Sequence, residues 1–185
     1  MGIGQDEVVA GEQAGQRLAA AGAKHVICVA PEQGNVTVEA RCDGASKTMT
    51  TGRVEKLYVN GADNAAMTSA IQAKLGTDKD IDYFLSQGGA AVLSTVNAVK
   101  QTNSNVKVTG FDLNPDVAKD IQAGTVEWTI DQQPYLQGYY AVDNLWLYLT
   151  NGNVGGGGQP ILTGPAFVDK TNIDTVAKYA DGGTR

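Results

Sequence analysis

A chain of 185 residues can form one domain with a full hydrophobic core but not two large ones. Its 42% hydrophobic and 18% charged residues suit an ordinary globular protein, and its net charge of −6 comes from 20 acidic residues against 14 scattered basic ones. No Lys/Arg cluster follows a phosphate backbone, which excludes nucleic acid as an expected partner, and no apolar run approaches the roughly 20 residues needed to cross a bilayer.

The N-terminal stretch lacks the basic and apolar regions of a signal segment; a mature secreted protein, an internal start and a truncated chain all fit it. A helix is predicted over 7–21, with Ala10, Ala14, Leu18 and Ala21 on one face and Gly22 as its stop. The continuous apolar run 25–30 suits a strand buried on both faces. After the loop 31–34, Asn35 caps a second helix reaching Met49. The alternation then repeats, with strands over 54–59, 81–86 and 106–111 and helices over 64–75 and 90–99. Pro115 begins a further helix that ends near Gly124. Strands alternating with amphipathic helices at this spacing predict an α/β fold. Its sheet is doubly wound and parallel, with helices on both faces, Rossmann- or flavodoxin-like.

The last third has a different texture. Half of the twelve aromatic residues lie between Trp128 and Tyr148. A strand is predicted over 125–130 and a helix from Pro134 to Thr150 whose second half is apolar nearly all round, a pattern for a helix buried on several sides or awaiting a partner. The run Gly155 to Gly158 reads as a flexible loop, 161–168 as one strand, and a short helix starts near Asn172.

In an open parallel sheet, ligands bind beyond the carboxyl ends of the strands. The polar residues placed there are the loop 32–35, Asn64 after Asp63, Gln87, Asp112 and Gln132 after Asp131, with Arg41 one turn into a helix. A carboxylate, several amides and a guanidinium suit a neutral polyhydroxylated ligand, because they supply both donors and acceptors in fixed geometry. Each also has a plainer reading. Asp112 and Asn64 could be helix caps, Arg41 an exposed charge paired with Glu39 or Asp43, and Gln87 and Gln132 could satisfy loop backbone groups. Trp128 and Trp146 read as core or interface.

Patterns for catalysis are missing: no nucleophile elbow, Walker loop or His-containing metal motif is present, so neither an enzyme nor a cofactor is expected. The lone histidine, His25, opens a strand at the end away from the ligand face. Cys28 and Cys42 are compatible with one disulfide or with two buried thiols.

Several segments resemble the C-terminal half of type I periplasmic sugar-binding proteins, the ribose-binding-like branch that shares its fold with LacI-type effector domains. They are Gly4-Gln5-Asp6-Glu7 with Gly11, Gly34-Asn35 leading to Arg41-Cys42-Asp43-Gly44, Val108-Thr109-Gly110-Phe111-Asp112, Asp131-Gln132-Gln133-Pro134 running on to Gly138, and Thr163-Gly164-Pro165. The resemblance implies that Arg41 and Asp112 are sugar-binding positions, that Gln132 lies at the hinge-side mouth, and that Asn64 and Gln87 stand at more variable ligand positions. It also implies that the family's first lobe, which would precede Gln5, is absent from this chain. Residues 1–133 would then be the second, sugar-binding lobe, 134–168 a crossover helix and strand that packs on the first lobe, and 169–185 a terminal helix and tail.

The function so implied is non-covalent capture of a monosaccharide or polyol for an ABC importer, outside the cytoplasmic membrane in the periplasm or extracellular space, with a lipid anchor compatible. The partners would be the membrane permease and either the first lobe or a second copy of the chain covering the aromatic helix. The alternative is a ligand-sensing domain of a LacI-type repressor or receptor.

Overall fold

A computed structural model describes residues 2–185. In chain order the elements are β1 (Ile3–Gln5), α1 (Glu7–Ala20), β2 (His25–Ala30), α2 (Val36–Thr48), β3 (Arg53–Tyr58), α3 (Asn64–Thr77), β4 (Tyr83–Ser86) and α4 (Gly89–Gln101). They continue with β5 (Lys107–Phe111), α5 (Pro115–Ala123), β6 (Val126–Asp131), α6 (Pro134–Asn151), β7 (Ile161–Gly164), β8 (Ala166–Asp169) and α7 (Ile173–Asp181). Six strands form one sheet in the order β3-β2-β4-β5-β6-β8, parallel except for β8, which runs antiparallel to β6. This is the doubly wound α/β sheet that the alternation of elements predicts.

Side-chain alternation along β2 shows why both faces must be covered. Val26, Cys28 and Ala30 enter the core under α1 and α2, while Ile27 and Val29 enter the core under α3 and α4. Farther along that second face, α5 and α7 cover Val108, Val126 and Val168. Helix starts are held by short polar side chains: Asp6, Asn35, Asp63 and Asn114 each accept a hydrogen bond from a first-turn N–H. The two helices on the first face touch through glycines. A Cβ on Gly11 would stand 2.3 Å from the Arg41 carbonyl oxygen, and one on Gly44 would stand 2.7 Å from that of Val8.

A second, two-stranded sheet pairs β1 with β7 in parallel, and α6 lies against it. None of the eighteen residues of α6 is buried; Trp146 is 59% exposed and Leu149 72%. The aromatic helix thus keeps an open apolar surface. A groove of about 540 Å³ runs beside it between Tyr135 and Trp146.

Three features differ from the sequence reading. Strand β1 went unpredicted. The single strand expected over 161–168 is two strands in two sheets, parted at Pro165, which has no N–H to offer a ladder. The glycine run, Gly155–Gly158, is a tight turn with left-handed backbone at Gly156 and Gly157, φ 77° and 56°, where a flexible loop was expected. The two cysteines form a disulfide, with Cα atoms 5.9 Å apart, tying β2 to α2.

Candidate functional site

The carboxyl ends of β2, β4, β5 and β6 converge on one edge of the sheet. Strand β5 ends in Phe111, wholly buried, and the next residue, Asp112, has φ 71°. Aspartate tolerates this left-handed conformation better than most side chains. The Asp112 N–H donates to the Ile130 carbonyl at 2.8 Å, locking the turn to β6. Its Oδ1 accepts from Gln132 Nε2 at 2.8 Å. Asp112 is therefore no helix cap; that duty falls to Asn114.

Arg41 sits in α2 with its guanidinium 4.5 Å from the centre of the Phe111 ring. It is buried, 5% exposed, and not the solvent-facing partner of Glu39 or Asp43 that its sequence neighbours offered. Its Nε and Nη2 donate to the two carboxylate oxygens of Glu7 at 2.5 and 3.0 Å. Lys56 instead holds Glu39 and Asp43. Glu39 titrates below the ordinary glutamate range, chiefly because Lys56 and then Tyr58 donate hydrogen bonds to it.

Gln87 follows β4 directly and is buried. Its amide donates to Cys28 Sγ at 3.2 Å, and among the described residues Oε1 has no partner, so the side chain satisfies no loop backbone. The chain then passes close to Asp112: a Cβ on Gly88 would stand 3.7 Å from Asp112 Oδ2. Asn64, in contrast, is exposed at the first position of α3, and the cap of that helix is Asp63. The structure brings Asp112 and Gln132 together, sets Arg41 against the neighbouring Phe111 and Gln87 beside the same turn, and leaves Asn64 apart in solvent.

Other residues join the site, and of these the sequence reading placed only Asp131 at the strand ends. Glu7 holds Arg41, and Gln137 donates to the Gln132 carbonyl at 3.0 Å and to Thr163 Oγ1 at 3.1 Å. Thr163 Oγ1 in turn donates to the Gln132 carbonyl at 2.7 Å. Asp131, 1% exposed, accepts from the Gln133 N–H at 2.8 Å and lies 2.8 Å from Arg185 Nε. These bonds fasten the point where β6, α6 and β7 meet.

At the opposite end of the sheet, His25, Glu55 and Asp78 bring ligating atoms within 4.8 Å of one another. Basic side chains already fill that cluster: Lys74 contacts both carboxylates, and Arg53 lies 2.9 Å from His25 Nδ1. It has the composition of a closed ion-pair network, far from the polar edge described above. No helix among the described residues is long and apolar enough to cross a membrane.

The combination of fold and site defines a class of protein. The chain belongs to the periplasmic binding protein domain family, whose model matches residues 1–153. It is 49% identical to a carbohydrate transporter from Acidothermus cellulolyticus whose crystal structure is a complex with myo-inositol. The superposition covers 99% of this chain and 64% of that one, with a TM-score of 0.95. A periplasmic ribose ABC transporter from Conexibacter woesei shares the fold at 23% identity and a TM-score of 0.83, over 98% of this chain and 63% of the other. A xylose/arabinose-binding protein from Sulfolobus acidocaldarius is 27% identical over 92% of this chain and 44% of its own length. The chain therefore spans less than half of that curated relative and just under two thirds of the solved ones.

Proposed function

We propose that the chain forms one wall of an interlobe cleft that captures a monosaccharide or related polyol without chemical change, as the solute-binding component of an ABC importer. The observation that carries this reading is the set of groups around Phe111: a wholly buried aromatic ring overlaid by Arg41, followed directly by the Asp112 carboxylate anchored on Gln132. A carboxylate accepts from adjacent hydroxyls and a guanidinium donates to ring and hydroxyl oxygens, while the buried Phe111 ring holds the guanidinium in place. Gln87, with its unpartnered Oε1, adds an acceptor. Asn64, exposed at the start of α3, stands at the rim of the site. The complex of the 49% identical transporter with myo-inositol supports polyols as the ligand class.

The similar proteins are transport proteins, which favours an importer over a repressor's effector domain. Under this reading the other lobe covers α6, the permease is the membrane partner, and the protein works in the periplasm or at the outer cell surface. One wall alone binds weakly, because small-ligand sites usually bury about 70–90% of their ligand.

The test is calorimetric titration of myo-inositol, D-ribose and D-xylose against this chain alone and against the chain paired with the first lobe of the Acidothermus cellulolyticus transporter. Binding is expected with both lobes and is expected to weaken by roughly 10- to 100-fold in Asp112→Ala, the loss of a charged hydrogen-bond partner. Silence in both arms would overturn the polyol reading. Tight binding to the lone chain would overturn the shared cleft.

A further inference from the structure

Arg41 is the cation that lies against Phe111 at the candidate site, and its charge is already matched. Glu7 takes Nε and Nη2 with both of its oxygens, the paired geometry in which a carboxylate binds a guanidinium most strongly. Among the described residues, Nη1 has no protein hydrogen-bond acceptor, so one edge of the fork remains to donate to a ligand oxygen. The other cations at this end of the sheet are also engaged. Lys56 is bound by Glu39 and Asp43, and Arg185 by Asp131. Glu7, Arg41 and Asp112 together therefore carry a net charge of −1, from two carboxylates and one guanidinium.

We propose that Glu7 is a specificity-determining residue: by masking Arg41 it sets the site for uncharged polyols and against sugar acids. The proposal rests on the reading of this edge as a polyol site and adds to it the class of ligand that is turned away. A hydroxyl needs only a directed N–H, which Nη1 supplies. A carboxylate ligand needs net positive charge to offset its lost hydration, and here it meets Asp112 and a neutralised guanidinium. Were Glu7 uncharged, Arg41 would present an unmasked cation beside Phe111 and the net charge of the three would rise from −1 to zero, so the penalty on a carboxylate ligand would shrink. Glu7 does this from the first turn of α1, where its charge is also favourable to the helix dipole. Gln5 Nε2 donates to it at 2.8 Å, which helps fix its orientation.

The test uses the matched pair D-glucose and D-glucuronate, which differ only at C6, with myo-inositol as a second uncharged probe. Each is titrated by NMR into this chain and into Glu7→Gln, following the Arg41 Nε–H resonance and the Asp112 amide. Millimolar affinities are readable this way. The expected result is that the parent chain favours the uncharged probes over glucuronate by at least about tenfold, and that Glu7→Gln lowers this ratio by about tenfold or more. Glucuronate should shift the Arg41 Nε–H in the variant only. An unchanged ratio in the variant, or equal binding of glucose and glucuronate by the parent, would overturn the role of Glu7 while leaving the polyol reading in place. Uncharged probes that bind neither protein, while glucuronate still reaches Arg41 only in Glu7→Gln, would overturn the polyol reading and leave the masking intact. Should Glu7→Gln fail to fold by its amide spectrum, the parent chain's preference within the glucose–glucuronate pair decides the proposal by itself.

Discussion

Gln87 is placed at a cost that folding alone does not explain. Its side chain is 3% exposed, its Nε2 points at a disulfide sulfur, and its Oε1 has no donor. A buried acceptor left unpaired costs about 1–3 kcal/mol. Under the proposed function that acceptor stands ready for a ligand hydroxyl, so stability is sacrificed for binding. Gln87→Met keeps the volume and removes the orphan. It is expected to raise unfolding stability by about 1 kcal/mol and to weaken polyol binding, read by urea denaturation and by titration. A variant that is both less stable and unchanged in binding would contradict this account.

Helices α1 and α2 meet at backbone distance, and this contact builds the Glu7–Arg41 pair. Gly11 and Gly44 leave no room for a methyl group against the opposing helix. Gly11→Ala would force the helices apart at the Arg41 carbonyl and is expected to cost about 1–3 kcal/mol, measured by chemical denaturation. It should also weaken ligand binding, because the arginine moves with α2. The same contact shows why part of the site was hidden from the sequence. Asp112 and Gln132 follow strand ends directly, so the periodic reading located them. Glu7 and Arg41 are 34 positions apart and meet only through helix packing, which no local pattern announces. The helices and the longer strands were legible because their apolar residues recur at the helical period or fill short continuous runs. Strand β1 was not, being three residues without an apolar run, and the β7–β8 break was masked because apolar residues flank Pro165 on both sides.

Across the whole molecule, acid should weaken the fold in a definite window. The Glu55 carboxyl is held below its ordinary value of 4.5 mainly by the hydrogen bond from Lys74, against an opposing effect of burial, and Glu39 is held down by Lys56. A carboxyl whose folded pKa is depressed stabilises the fold above its unfolded pKa, and that stabilisation is lost as pH falls through the folded value. The urea midpoint is therefore expected to hold steady near neutrality and to fall below about pH 4.5, with a shallower fall in Glu55→Gln. A midpoint flat from about pH 5 to pH 3 would exclude these pairs as contributors.

The path of the chain through its two sheets adds one more consequence. The chain leaves the six-stranded body at Gln133 and re-enters it at Pro165, and at that threshold Gln133 Nε2 donates to the Thr163 carbonyl at 2.6 Å. Exit and entrance share a single doorway. Everything between them, α6 and the glycine turn included, is a detour that begins and ends at almost the same point. Insertions or deletions along that detour would leave the register of the six-stranded sheet untouched, so α6 and its apolar face can vary without disturbing the edge that carries Asp112 and Gln132.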